Sequence, residues 1–219
     1  HNTAIGYQAL LTEGTSTYDG DGNTAVGYQS LYTSDADADG HGGNTALGFS
    51  SGKFLSTGTS NTFLGWSAGQ GVTGAKTTGN SNTAVGSHAG LVLQGAADFN
   101  TLVGQAAGAA VTIGSRNTAI GLQSLTSETI GDRSTAIGMY SLGLQVSDSD
   151  NEATGNVGVG YNSGYYNVTG TNNTYLGYQT GLVHTGDNTT YIGYKAGLAS
   201  TNGDYNVALG TSAHAHNVS

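Results

Sequence analysis

The chain has no cysteine and no proline, and only 5 of its 219 residues are Lys or Arg. Without cysteine there is neither a disulfide framework nor a thiolate zinc site to supply stability. Without proline every backbone N–H is available, as a molecule built on continuous backbone ladders requires. The few cations stand against 14 Asp and Glu, for a net charge of −9. That balance argues against nucleic acid, whose binding rests on Lys and Arg at phosphates. The apolar runs are only a handful of residues long, so no segment reads as a membrane-spanning helix. Charged residues make up 9% of the chain, far below the roughly one quarter usual for globular proteins. Disordered chains are usually rich in Pro, Glu and Lys, and this composition is not.

What the chain has is glycine, 38 residues of it, and an internal repeat. NTAIGYQAL near the start returns as NTAVGYQSL from Asn23, NTALGFSSG from Asn44 and NTFLGWSAG from Asn61. Each copy is anchored by a glycine: Gly6, Gly27, Gly48, Gly65, Gly86, Gly104, Gly121, Gly138, Gly160, Gly177, Gly193 and Gly210. Successive anchors are 16 to 22 residues apart and the motif itself does not vary in length. Residues 1–219 therefore read as a single repeat array of twelve coils whose connections swell without disturbing the stack.

The columns of the repeat read as β structure. Position −1 from the anchor is aliphatic in every copy, including Val26, Leu47, Leu64 and Val85, and position −3 is Thr or Val. The two lie on one face of a strand, and their β-branched character suits extended backbone. This face is expected to point into the coil. Position −2 is mostly Ala, with Phe63, Leu102, Tyr175 and Tyr191 as larger members, and is expected to face a neighbouring chain. Position −4 is Asn in ten copies, among them Asn23, Asn44, Asn61 and Asn82, a pattern that predicts a hydrogen-bonded ladder along the stack. The anchors, Gly27, Gly48, Gly65 and Gly86 among them, predict a corner with positive φ or a close backbone approach. A second short strand is expected after the anchor, with an aromatic first column and an invariably small third column, closed in seven copies by another glycine. The fold class that follows is all-β, a parallel β-solenoid or β-roll of about twelve stacked coils. At a strand spacing of about 4.8 Å it would be a rod roughly 55–60 Å long.

With these columns in view, the motif Asn-(Thr/Val)-Ala-(Ile/Val/Leu)-Gly resembles the head repeat of the YadA-like trimeric autotransporter adhesins. The run Asn206-Val207-Ala208-Leu209-Gly210-Thr211-Ser212-Ala213 carries the resemblance most closely. It implies a left-handed parallel roll, wound as a homotrimer on the bacterial cell surface and anchored in the outer membrane through regions absent from this sequence. The coils here are longer than that family's usual repeat, and no neck or coiled-coil stalk is recognisable. Similar repeats are also found in phage tail-fibre and secreted fibre proteins. The burial that one thin coil offers falls short of the backbone entropy of ordering it, which gives trimerisation a physical motive as well.

The function implied is a non-enzymatic extracellular fibre or adhesin-head segment, for cell-surface attachment or as a structural appendage. The alternatives are a phage or secreted tail-fibre shaft and a self-assembling filament subunit, since neither end carries the polar cap of a closed solenoid. Partners are expected to be other copies of the chain, side by side or end to end, and a host or surface protein or glycan. Asp35, Asp37 and Asp39, followed by Gly40, have the alternation of a calcium loop but lack its distal Glu. They are candidate calcium ligands, against the plainer reading that acidic loops keep the surface soluble. No other cofactor is implied. Tyr28, Phe49, Trp66, Tyr161, Tyr178 and Tyr194 form an aromatic column that reads either as a ligand-contacting stripe or as a stacked ladder. A Thr column on a flat solenoid could also order water as an ice-binding face, but its expected inward direction argues against that use.

Overall fold

A computed structural model describes residues 1–11, 22–34, 42–147 and 153–214. Twelve three-residue strands run in sequence order. They are β1 (Thr3–Ile5), β2 (Thr24–Val26), β3 (Thr45–Leu47), β4 (Thr62–Leu64), β5 (Thr83–Val85) and β6 (Thr101–Val103). The series continues with β7 (Thr118–Ile120), β8 (Thr135–Ile137), β9 (Val157–Val159), β10 (Thr174–Leu176), β11 (Thr190–Ile192) and β12 (Val207–Leu209). Each pairs in parallel with the next, in the order β1 to β12, and always in the same register: Thr3 beside Thr24, Ala4 beside Ala25, Ile5 beside Val26. The molecule is a parallel β-solenoid. Its register has a simple consequence, that each column of the repeat is stacked on itself.

The anchor glycines occupy a corner that only glycine can form. Their φ values lie between 121° and 141°. A Cβ on Gly65 would stand 2.7 Å from the carbonyl carbon and oxygen of Gly86 in the next coil. Conformation and contact both exclude a side chain, so the column is fixed twice over.

After the anchor the structure departs from the expected second strand. The segment is a run of turns, in which the second and fourth residues past each anchor have positive φ: Gln29 at 52° and Leu31 at 48°, Gln179 at 52° and Gly181 at 57°. The N–H of the third residue closes onto the anchor carbonyl, as from Ala9 to Gly6 at 3.3 Å. The remaining N–H groups still bond between coils, in alternating directions. Gln29 donates back to Tyr7 at 3.0 Å and Leu31 donates forward to Ser51 at 3.0 Å. Stacking is thus preserved without extended backbone.

The core is assembled from columns −4, −2, +3, +4 and +7 counted from the anchor. Column +3 is small because it sits inside, and its hydroxyls bind carbonyls of the following coil: Ser30 to Ala46 at 2.9 Å, Ser51 to Phe63 at 2.8 Å, Ser141 to Gly158 at 2.8 Å. Columns −2 and +4 share one volume. Ala25 lies in a coil with Leu31, Ala119 with Leu125 and Ala136 with Leu142, all fully buried. Where −2 is large, +4 is glycine both in the same coil and in the one before. Phe63 fills the space over Gly52 and Gly69, and Tyr175 that over Gly164 and Gly181, where an added Cβ would overlap the ring. Because Leu31, Leu125 and Leu142 adopt the same positive φ as these glycines, packing selects glycine here rather than backbone conformation.

Column +7 divides the rod in two. Its fully buried members are Leu55, Leu93 and Val111 in the earlier coils, then Glu128, Gln145, Asn167, His184 and Ser200, all within 1% of complete burial, while Ser34 and Val72 are half-buried. The Glu128 carboxylate accepts N–H groups of Thr129, Ile130, Gly131 and Ser147, and the amide of Gln145 at 2.8 Å.

The shared volume predicts a compensating pair. Gly69→Leu should destabilise by about 1–3 kcal/mol through overpacking against Phe63, and Phe63→Ala by about 3–5 kcal/mol through its cavity. The double variant Phe63→Ala/Gly69→Leu should lose less than the sum of the two, as read by urea denaturation of all three.

Candidate interaction face

Strand alternation puts columns −4 and −2 on one side of the sheet and −3, −1 and +1 on the other. The inner side proves to be that of the asparagines. Asn44, Asn61, Asn82 and Asn100 are at most 1% exposed, and each Nδ2 donates to the Oδ1 of the asparagine one coil before, at 3.0–3.1 Å. The same Oδ1 accepts the next backbone N–H, as Asn61 Oδ1 does from Asn82 at 2.9 Å, and Nδ2 also reaches a carbonyl such as Gly79 at 3.0 Å. The line begins at Asn2, whose Oδ1 accepts the Asn23 N–H at 2.8 Å, and Asn23 Oδ1 accepts from Asn44 in turn. Every amide atom is used, which is what allows a polar column in the core.

The direction expected for the aliphatic column is therefore corrected. Leu47 and Leu64 are exposed, and Val26 and Val85 are half-buried on the same outer side. Phe63, by contrast, is 0% exposed and its neighbour Leu64 is 42% exposed. The −2 column, expected to face another chain, fills the coil's own interior. Both columns are apolar, and the Asn ladder decides between them by parity.

Outside, the aromatic column stands beside the aliphatic one. Tyr28, Phe49, Trp66, Tyr178 and Tyr194 are exposed, Trp66 at 58%, and Tyr161 is half-buried. The rings form two stacked blocks. Tyr7, Tyr28 and Phe49 stack at centroid distances of 5.6 and 5.0 Å, with Trp66 edge-on to Phe49 at 6.4 Å and His88 beyond it. Tyr161, Tyr178 and Tyr194 stack at 5.2 and 5.4 Å. Ring faces are spent on each other and the edges look outward. Columns −3, −1 and +1 hold no charged residue in any of the twelve coils. The face is a continuous uncharged stripe of Thr or Val and aliphatic side chains along the rod, flanked by the two aromatic blocks and, between them, by Ser87, Gln105, Leu122 and Met139. The Thr column points outward too, opposite to its expected direction, with the aliphatic column −1 next to it.

The acidic residues among those described sit elsewhere and do structural work that the sequence reading missed. Column −6 forms a second ladder, in which a side-chain oxygen accepts the N–H of the equivalent residue one coil before. Asp98 accepts from Asn80 at 2.6 Å, Asp132 from Ser115 at 2.7 Å, Asp187 from Thr171 at 2.7 Å and Asp204 from Asp187 at 2.9 Å. With Glu128, every Asp and Glu among the described residues binds backbone N–H groups. The recurrence of Asp, Asn, Ser or Thr six residues before the anchor was the available signal. Asp35, Asp37 and Asp39 lie outside the described residues, as do Asp19, Asp21, Asp148, Asp150 and Glu152. Among the described residues no three His, Asp or Glu side chains converge as a metal site would require, and no helix is long and apolar enough to cross a membrane. A serine does meet a histidine at Ser200 and His184, 3.4 Å apart, but both are buried in the core.

No family model, curated protein or solved structure matches this chain.

The alternation is testable at adjacent positions. Measured at a protein concentration low enough for the protomer to stand alone, Leu64→Ser should change stability by no more than about 0.5 kcal/mol, as surface substitutions do. Asn61→Ala should cost about 1–3 kcal/mol for each orphaned group among the Asn82 N–H and the Gly79 carbonyl. Chemical denaturation of the two variants side by side checks the contrast.

Proposed function

We propose that this chain is a non-enzymatic rod segment of an extracellular fibre, of the adhesin-head type its repeat resembles, held on a bacterial surface through other regions. Its working form is a homotrimer whose protomers pack through the stripe of columns −3, −1 and +1. The observation that carries this reading is the absence of charge from that stripe over all twelve coils, while aliphatic and aromatic side chains there stay exposed. Interface cores have this composition, depleted in charge and enriched in aromatic residues. Exposed apolar patches of such extent mark interaction sites. A second copy suits the stripe better than an unrelated partner, because in-register ladders on one rod meet a surface of the same axial repeat on another. Twelve strands give eleven steps of about 4.8 Å, or about 53 Å of matched sheet. Attachment to a host protein or glycan would use the surfaces left outside the trimer.

Analytical ultracentrifugation of the chain should give three times the monomer mass. The triple variant Leu47→Glu/Leu64→Glu/Ile120→Glu should sediment as a monomer with an unchanged β circular dichroism signal. A wild-type monomer at tens of micromolar would remove the reading.

A further inference from the structure

We propose that the coils between Tyr175 and His214 form an acid-sensitive segment of the rod, with His184 as its trigger. The Asn ladder is broken at two places, Ser134 and Thr189, and at each a long polar residue of column +7 reaches the gap. At the first, Gln145 donates to Ser134 Oγ at 2.8 Å and accepts from Asn156 Nδ2 at 2.9 Å, so an uncharged amide carries the ladder across. At the second, His184 Nε2 meets Thr189 Oγ1 at 3.1 Å and Nδ1 faces Ser200 Oγ at 3.4 Å, while Ser200 is also bonded to Tyr191 Oη at 2.8 Å. One bridge cannot take up a proton and the other can.

The ring is fully buried and packed on aromatic neighbours. The Tyr191 ring lies 5.2 Å from it and the Tyr175 ring 6.2 Å, both edge-on. The Tyr175 hydroxyl is itself buried without a hydrogen-bond partner. His214 stacks on the far side of Tyr191 at 5.8 Å and adds a second imidazole to the same column of rings. Two carboxylates face this region, Asp187 and Asp204. Both already hold backbone N–H groups at the corner, and neither forms an ion pair with the ring. A protonated His184 would be a cation among neutral hydroxyls, which is costly in a buried site.

Burial lowers the His184 pKa from the ordinary histidine value; the Ser200 backbone, Asp204 and Asp187 oppose the shift, and His214 adds to it. The sign follows from linkage. Above about pH 6.5 the imidazole is neutral in both folded and unfolded chains, and its titration contributes nothing. As the pH falls below about 6.5 the unfolded chain takes up a proton that the folded chain refuses. Stability then declines until the pH passes the lowered folded value. The effect is local because the earlier coils fill column +7 with Leu55, Leu93 and Val111.

Hydrogen exchange of the full chain at pH 7.5 and 5.0, corrected for intrinsic exchange, tests this. Peptides covering 175–214 should lose protection by up to about tenfold per pH unit, the limit for one proton, while peptides covering 45–111 hold theirs. His184→Gln, which copies the Gln145 bridge, should abolish the acid response, and His88→Gln on the surface should leave it intact. Uniform loss along the rod, loss centred on Glu128, or an unchanged acid response in His184→Gln would overturn the proposal. Should the variant not fold, NMR titration of His184 in the native chain decides. An imidazole that takes its proton at or above pH 6.5 while the segment stays protected is equally fatal.

Discussion

Everything in this molecule depends on the hydrogen bonds that join one coil to the next. They run through strand and turn alike, and they hold each coil in the same register as its neighbour. A side chain therefore meets its own equivalent at strand spacing above and below. That constraint favours residues which bind or stack upon themselves. Asparagine does so with its amide, Tyr with its ring, and the anchor glycine by having nothing to collide. It penalises like charges, which would repel at every step, and the carboxylates among the described residues accept backbone N–H groups instead.

Within the coil the limiting quantity is volume. The space between columns −2 and +4 admits Ala with Leu, or a large residue with glycine on both sides of it. The exchange is made coil by coil, so Phe63 and Tyr175 coexist with Ala25 and Ala136 in an otherwise uniform stack. Column +7 varies chemically, apolar from Leu55 to Val111 and polar from Glu128. A buried polar column needs hydrogen-bond partners at each step. In this one Glu128 gathers N–H groups, Gln145 mends the ladder at Ser134 and His184 meets Thr189 and Ser200, while Asn167 donates to Gly170 and leaves its Oδ1 without a partner.

Much of this was legible in the residues. The twelve anchors gave the coil count, the β-branched columns gave the strands, and the Asn column gave the ladder. The acidic ladder could have been found from the fixed offset of Asp98, Asp132, Asp187 and Asp204 before their anchors. The volume exchange could also have been found, since Gly52, Gly69, Gly164 and Gly181 flank the large residues. The turns after each anchor could not. Gln29, Leu31 and Lys195 carry no signal for left-handed backbone, a conformation that ordinary residues disfavour by roughly 1–2 kcal/mol. Only the inter-coil bonds that it permits offset that cost.

The amino-acid sequence by itself pointed to a stacked parallel solenoid, because a short β-branched motif of constant length recurs twelve times at a spacing of one coil. It also divided each strand into two apolar faces. Which face lies inside was decided by the tertiary structure. A period of two separates Leu64 from Phe63 but does not orient them, and both are hydrophobic. The closed Asn ladder fixes the parity, drawing column −2 inward with it. The interior then accepts only what the narrow coil can hold. The aliphatic and aromatic columns are left outside as the stripe on which the proposed assembly rests.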